Sequence, residues 1–191
     1  MTEYNPEEKI YLTYKTRMTT EARMRRIAFI SNALLSWYSF CLIIISMIDL
    51  SKVFTLAYAS LLSAIFATAV FGLSLFIYGQ KLPERAEQFR SCYLQLKHLY
   101  ESTIKSDLKM KKYSEILDQY ENQSDADYDD MLFDAWFRNQ NLRNASGPVN
   151  ISCLSFCKVL LRRVLSTAVV GMLFLGPLIG SIFWIKPLVV H

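Results

Sequence analysis

Two long runs of uncharged, mostly apolar residues lie in the first half of the chain. They cover residues 27–48 and 53–79, with only residues 49–52 between them. A helix needs about 20 apolar residues to cross the roughly 30 Å hydrocarbon core of a bilayer, so each run is long enough to span it. Neither run alternates apolar and polar residues as a barrel strand does. The pattern predicts a transmembrane helical hairpin with antiparallel helices.

A third uncharged run covers residues 164–185. Lys158, Arg162 and Arg163 precede it, and Lys186 follows it. A buried helix of a soluble core is the alternative, but core helices of this length keep a polar face. The basic flanks and the length favour a third membrane span, followed by a short tail, residues 186–191.

The remaining segments complete the predicted fold, an all-α membrane protein. Residues 1–26 are predicted to form an N-terminal helix that continues into the first span, with Pro6 at a first helical position. Residues 80–163 are predicted to form a region of long helices outside the membrane.

Lysine and arginine residues predict the orientation of the chain. Residues 1–26 hold six of them, and residues 80–163 open with Lys81, Arg85 and Arg90, whereas the hairpin turn has only Lys52. The positive-inside tendency therefore places the N-terminus and residues 80–163 in the cytoplasm and the C-terminus outside. Basic residues beside a span are typical topology signals and contacts of anionic lipids, so no direct nucleic-acid binding is expected.

The region after the hairpin begins with a seam of apolar residues at alternating spacings of four and three, which is typical of a coiled coil. Such a seam can pack against the N-terminal helix of its own chain or against a second copy, and both alternatives stay open here. The candidate assembly positions are Phe89, Tyr93, Leu96 and Tyr100.

An acidic stretch follows. Residues 114–137 contain eight carboxylates and no lysine or arginine, while residues 81–112 contain eight basic residues. This asymmetry indicates that the acidic stretch lies against basic surface of its own or a neighbouring chain. Its start imitates a calcium-binding EF-hand loop, but Asp130 stands where that loop needs glycine and Trp136 where it needs glutamate, so no metal site is predicted.

The sequence shows no pattern of residues that is typical of a catalytic site. The only histidines are His98 and His191, and they belong to no Cys/His or Asp/His cluster. The glycines form no phosphate-binding loop. We therefore expect neither an enzyme nor a bound cofactor.

Each of the first two spans carries a stripe of polar or small residues along one side. A stripe of this kind marks either close helix packing or the lining of a water-filled pore. Asn32 is the most informative member, because an amide inside the membrane needs a partner or water. The candidate positions are Asn32, Ser36, Ser39 and Ser46 in the first span and Ser60, Ser63 and Ser74 in the second.

The segment of residues 113–128 carries a more specific signal. It contains a Tyr-x-x-Ile-Leu-Asp step, a Glu-Asn pair and a Ser-Asp-x-Asp-Tyr run, after a hairpin and a long helix. This arrangement resembles the SLATT family, bacterial two-span membrane effectors of conflict systems. The resemblance implies an acidic SLATT-like segment, residues 113–130, that couples a signal to the membrane helices. The candidate coupling residues are Tyr113, Asp118, Glu121, Asn122, Asp125 and Tyr128.

The same resemblance implies a function. A protein of this kind is expected to assemble with itself in the lipid of the bacterial inner membrane and to form a pore or disrupt the bilayer, which limits phage spread by abortive infection. The trigger would come from a separately encoded sensor, a nucleotidyltransferase or a reverse transcriptase, or from its signal. A non-conducting membrane scaffold or regulatory subunit that docks a cytoplasmic partner is the alternative. The third span is an addition to the family's two-span core.

Overall fold

The computed structural model describes residues 6–50, 59–140, 142–144, 147–148 and 151–185. Within these ranges the chain forms six helices and one short two-stranded ladder, which confirms the predicted all-α fold. The helices are α1 (Pro6–Leu50), α2 (Ala59–Gly79), α3 (Leu82–Glu101), α4 (Ser106–Asp118), α5 (Asp125–Phe137) and α6 (Cys153–Ile185). The ladder pairs β1 (Arg143–Asn144) with β2 (Gly147–Pro148) in antiparallel fashion.

Three of the helical stretches are long and apolar enough to cross a membrane, as predicted. They lie in α1, in the stretch that begins with α2, and in α6. Helix α1 has 45 residues and begins at Pro6, so the predicted N-terminal helix does continue into the first apolar run. Residues 51–58, with half of the hairpin link and the start of the second run, lie outside the described residues, as does the tail after Ile185.

The chain divides into two compact units. Unit 1 consists of Met1–Arg26 and Pro83–Arg163, and unit 2 consists of Ile27–Leu82 and Val164–His191. Unit 1 holds most of the charged residues and the acidic stretch, and unit 2 holds the apolar runs. Each unit has its own internal contacts.

Two apolar clusters form the core of unit 1, and the first part of α1 contributes to both. The first, called the α3–α4 cluster here, contains Ile10, Cys92, Leu96, Leu99 and Tyr113. The second, called the α5 cluster, contains Met131, Leu132, Ala135 and Leu142, with Tyr11 and Leu12 of α1 packed against it. A fully buried leucine contributes about 1.5–3 kcal/mol, so the buried leucines of both clusters stabilise the fold of unit 1.

The apolar seam of α3 belongs to the first cluster. Phe89 is 3% exposed and Leu96 is fully buried, and both face the N-terminal part of α1 in the same chain. Tyr93 and Tyr100 are only partly buried, whereas the neighbouring Cys92 is fully buried. Of the two alternatives for the seam, the structure shows packing within the chain. A role of the seam in assembly stays a prediction.

In unit 2, α1 contacts α6 through two side chains that donate to backbone carbonyls. The Trp37 indole Nε1 donates to the Phe174 carbonyl at 3.1 Å, and the Tyr38 hydroxyl donates to the Leu173 carbonyl at 2.9 Å. Pro177 lies inside α6 and has no N–H to give to the carbonyl four residues earlier, which is that of Leu173. Tyr38 therefore donates to a carbonyl that the proline leaves without its helical partner.

Candidate functional site

The SLATT-like segment contains tyrosines that connect α4 and the following link to two other helices. The Tyr113 hydroxyl lies 3.0 Å from the Thr13 hydroxyl of α1, and this contact is buried. The Tyr120 hydroxyl accepts from the Gln95 amide of α3 at 2.9 Å and lies 3.0 Å from the Ser91 hydroxyl. These hydrogen bonds fix the position from which α5 starts.

Glu121 of the same link pairs with Arg85 of α3 in a two-pronged geometry. Arg85 donates from Nε at 3.0 Å and from Nη2 at 2.6 Å to the two carboxylate oxygens. Both side chains are substantially exposed to water. An exposed pair of this kind contributes about 0.2–1 kcal/mol, so it orients the link more than it stabilises it.

Asp127, in the first turn of α5, caps that helix and also binds α1. Its Oδ2 accepts from the backbone N–H of Ser124 at 3.1 Å, which is the returning half of a capping box. The same oxygen also accepts from the Ser124 hydroxyl at 2.8 Å. Its Oδ1 lies 2.7 Å from Nη2 of Arg23, and the aspartate side chain is only 3% exposed. Arg23 stands four residues before the first apolar run, so this ion pair attaches α5 to α1 close to that run.

Two further carboxylates of α5 bind the arginines that precede the third apolar run. Asp130 Oδ1 lies 2.6 Å from Nη2 of Arg162, and Asp134 Oδ1 lies 2.7 Å from Nη2 of Arg163. The Arg163 guanidinium also stands over the Phe133 ring, 4.6 Å from its centroid, at a distance typical of a cation–π contact. We call the six charged residues of these three pairs the carboxylate clamp: Arg23, Asp127, Asp130, Asp134, Arg162 and Arg163.

The clamp differs from the coupling residues that the sequence predicted. Asp118, Asn122 and Asp125 are exposed. Tyr128 is partly buried beside the α5 cluster, and burial, with a smaller effect of the Asp129 charge, raises the pKa of its phenol. The acidic stretch does lie against basic surface of its own chain, as one of the two sequence alternatives held. The coupling role of all the candidate residues stays a prediction.

A pattern in the sequence was available for the clamp. Asp127, Asp130 and Asp134 are spaced by three and four residues, which places them on one face of a helix. The sequence alone indicates only a topology role for Arg162 and Arg163, because their pairing depends on how α5 packs. The sequence therefore shows the charged residues of the clamp but does not predict which of them form ion pairs.

One cation of unit 1 has a different environment. Arg17 of α1 is only 1% exposed, and its Nε and Nη1 have no hydrogen-bond partner among the described residues. Its guanidinium stands 5.8 Å from the centroid of the Phe89 ring. Burial raises the pKa of the adjacent Cys92 thiol, and the Arg17 charge opposes that shift only in part. Arg17 thus places a buried charge inside the α3–α4 cluster.

The polar stripe of the first apolar run, which lies in α1, faces outward in the single chain. Asn32, Ser36, Ser39 and Ser46 are exposed. Ser36 donates to the Asn32 carbonyl at 3.0 Å. Whether the stripe packs against a neighbour or lines a pore stays a prediction.

In α2, the stripe residues Ser63 and Ser74 are partly buried, and Ser74 donates to the Phe71 carbonyl at 2.7 Å. The side chain of Ser60 lies outside the described residues.

The site so described is a set of ion pairs that joins α5 to α1 and to the start of α6. In the described ranges, no three or more His, Cys, Asp or Glu side chains are grouped so as to hold a metal ion. The clamp carboxylates face arginines instead.

These features define a class, that of all-helical proteins whose charge-paired helices lead into candidate membrane spans. Within that class, the chain belongs to the SMODS and SLOG-associating 2TM effector domain family 5, which it matches over residues 5–183. The SLATT assignment made from the sequence is thereby confirmed. No match was found among curated proteins or solved structures. The family description counts two transmembrane helices, yet the matched range includes most of α6, so the third apolar run is part of the family domain.

Proposed function

We propose that this protein is a membrane effector of a bacterial conflict system, which assembles into a homo-oligomer and permeabilises the inner membrane when a separately encoded sensor activates it. The observation that carries the proposal is the carboxylate clamp. It joins α5 to α1 and α6 within four residues of their apolar runs. Family membership supplies the effector class.

The clamp is suited to a two-state response. Asp127 and Asp130 are almost fully buried, so separating them from their arginines leaves buried carboxylates without a cation, which costs about 3–5 kcal/mol. Pairs of this kind hold one arrangement until a partner supplies a better one. Because α1 and α6 continue as helices from the clamp into their apolar runs, a displaced α5 changes the segments that enter the bilayer.

The proposed topology follows the basic residues. The N-terminal helix, residues 1–26, and residues 80–163 lie in the cytoplasm, where a sensor or its signal can reach the acidic segment, and the C-terminus lies outside. Reporter fusions at residues 51, 120 and 191 test this arrangement. A cytoplasmic reporter that is active at residue 191 would remove α6 from the set of spans.

The proposed effector acts on lipid and not as an enzyme. Its partners are membrane lipids, further copies of itself, and a nucleotidyltransferase or reverse-transcriptase sensor, without nucleic-acid binding and without a cofactor. Membership of an effector family and a site whose charges are engaged in ion pairs support this part of the proposal.

The experiment is release of a small dye from liposomes that contain the purified protein. We expect wild type to release dye when the sensor or its signal is added, and Arg162→Met to release it without a trigger, because the variant weakens the clamp at Asp130. Arg138→Met, at an exposed arginine outside the clamp, is the matched control. Asn32→Leu should reduce release, because it removes the amide from the predicted lumen.

The scaffold is the second candidate function, and one observation favours it. The hydroxyls of Ser36 and Ser74 donate to carbonyls of their own helices, so they need no water-filled lumen. A wild-type protein that arrests growth but releases no dye under any activating condition would replace the pore by the scaffold.

A further inference from the structure

The first eleven residues of α6, before Val164, carry an exposed apolar arc. Leu154 is 62% exposed and Leu161 is 69% exposed, whereas Val159 is only 1% exposed and faces the core of unit 1. At about 100° per residue, the apolar residues fill an arc of about 120° that contains no charged side chain. The arc consists of Cys153, Leu154, Cys157, Leu160 and Leu161, all exposed.

The exposed apolar surface extends onto α5. Trp136 is 58% exposed and stands edge-on to Phe156 of α6, with ring centroids 5.1 Å apart. Phe137 follows it and is 76% exposed. Leu160 lies one turn beyond Phe156 on the same face of α6. Large contiguous apolar surfaces of this kind mark interaction sites in soluble protein regions.

Lipid can cover only a small part of this surface. Helix α6 has 33 residues and is therefore about 50 Å long, about 20 Å more than the hydrocarbon core. Leu154 stands ten residues, or about 15 Å along the axis, before the first residue of the uncharged run. The headgroup layer on one side adds only about 5–8 Å. Leu161 can reach that layer, but Leu154 and the aromatic residues beside Phe156 lie beyond it.

We propose that a second copy of this chain covers the arc, with α6 segments of neighbouring protomers meeting side by side around a common axis. The bilayer holds α6 at the same depth in every protomer, so copies of the arc meet in register without further alignment. The arc itself brings no like charges together, because Arg162 and Arg163 are bound to α5 carboxylates. The exposed Lys158 lies about 40° outside the arc. The inference rests on the homo-oligomer of the proposed function and names its surface.

Two native cysteines within the arc make the contact measurable. In parallel helices around an axis, the same position of each helix faces its neighbour, at a spacing compatible with the 4.4–6.8 Å between Cα atoms of a disulfide. Mild oxidation with copper phenanthroline of the full chain in liposomes should give a covalent dimer. The Cys153→Ser/Cys157→Ser double variant should lose it, while Cys41 and Cys92 remain as internal controls.

The apolar contact itself is tested by charge. Leu154→Glu and Leu161→Glu should each lower the cross-linked fraction about tenfold or more, since each removes a buried leucine and places like charges opposite one another. Both positions are exposed in the single chain, so unit 1 should unfold at the wild-type temperature. Leu108→Glu, at an exposed leucine of α4 (48% exposed), is the matched control and should cross-link like wild type.

Three results overturn the proposal. The first is an oligomer that forms without cross-linking at Cys153 or Cys157, and the second is wild-type cross-linking of both glutamate variants. The third is that lipid protects the Cys153 and Cys157 thiols from reaction with a maleimide whereas assembly does not. If dye release persists while the cross-link is absent, the surface is wrong and the pore stands. If the cross-link forms and no dye is ever released, the surface stands and the pore is wrong.

Discussion

Two arginines on opposite sides of α1 in unit 1 have opposite environments. On the α3–α4 side, Arg17 is buried in an apolar cluster with two nitrogens unpaired. On the α5–α6 side, Arg23 stands only six residues later and binds a buried aspartate at 2.7 Å. Apolar residues of α1 pack on both sides. The two arginines differ, because two nitrogens of Arg17 are buried without a partner whereas Arg23 is matched by a buried carboxylate.

This difference separates stability from specificity. Apolar burial contributes in proportion to area and does not require one particular arrangement. A buried ion pair adds little net stability over an apolar replacement but is expensive to break, so it selects one arrangement. We therefore expect substitutions on the α3–α4 side to change how firmly unit 1 folds, and substitutions in the clamp to change which state it occupies.

The largest effect is expected for Leu96→Asp. Leu96 is fully buried in the α3–α4 cluster, and a charge there has no partner, so the free energy of unfolding should fall by about 4 kcal/mol or more. Thermal unfolding of the detergent-solubilised chain, followed by circular dichroism, measures it. Leu94→Asp, at a 40% exposed leucine of the same helix, is the control. Equal stability of the two variants would contradict an α3 that packs through Leu96.

The next largest effect is expected for Arg23→Met, with the same measurement. The variant leaves the Asp127 carboxylate buried without its cation and should lower the free energy of unfolding by about 3 kcal/mol. Adding Asp127→Asn should recover part of this loss, because the remaining charge is removed. The loss in free energy of unfolding caused by Asp127→Asn is measured in wild type and in Arg23→Met. If the two losses are equal, the two residues are not coupled.

Arg17→Met should act in the opposite direction. Methionine fills a similar volume without the buried charge, so we expect the free energy of unfolding to rise by about 1–2 kcal/mol. The sign relative to Arg23→Met is the test of the comparison. A loss of stability would show that Arg17 has a partner that compensates its charge.

The sequence predicted the long elements of this fold well, for a physical reason. An uncharged run of 22 or more residues has few alternatives to a membrane helix, and the apolar spacing of α3 identified Phe89 and Leu96 as buried. The position of Cys92 in the core was not predicted, because a spacing of four and three does not distinguish it from Tyr93 beside it.

The parts that were not predicted depend on contacts between distant segments. The pairing of Asp130 with Arg162 needs α5 to fold back against α6, and no local pattern encodes that return. The hydrogen bond from Tyr38 to the carbonyl left free by Pro177 joins residues 135 positions apart. Helical periodicity predicts on which face of a helix a residue lies, but it does not predict which distant segment packs against that face.

The smallest effect concerns the pH dependence of the α3–α4 side. Burial, with smaller effects from Tyr11, Tyr100 and Glu101, raises the pKa of Tyr14 to about 12 from its usual 10.0. Below pH 10 the phenol is neutral in both the folded and unfolded chain, so this contribution to stability is fully present. Between pH 10 and 12 only the unfolded chain ionises, and the contribution is lost as the pH rises. Between pH 10 and 12, the free energy of unfolding of Tyr14→Phe should therefore fall less than that of wild type. Chemical unfolding in detergent measures this difference. Equal slopes for the variant and wild type would show that Tyr14 ionises as readily in the folded chain.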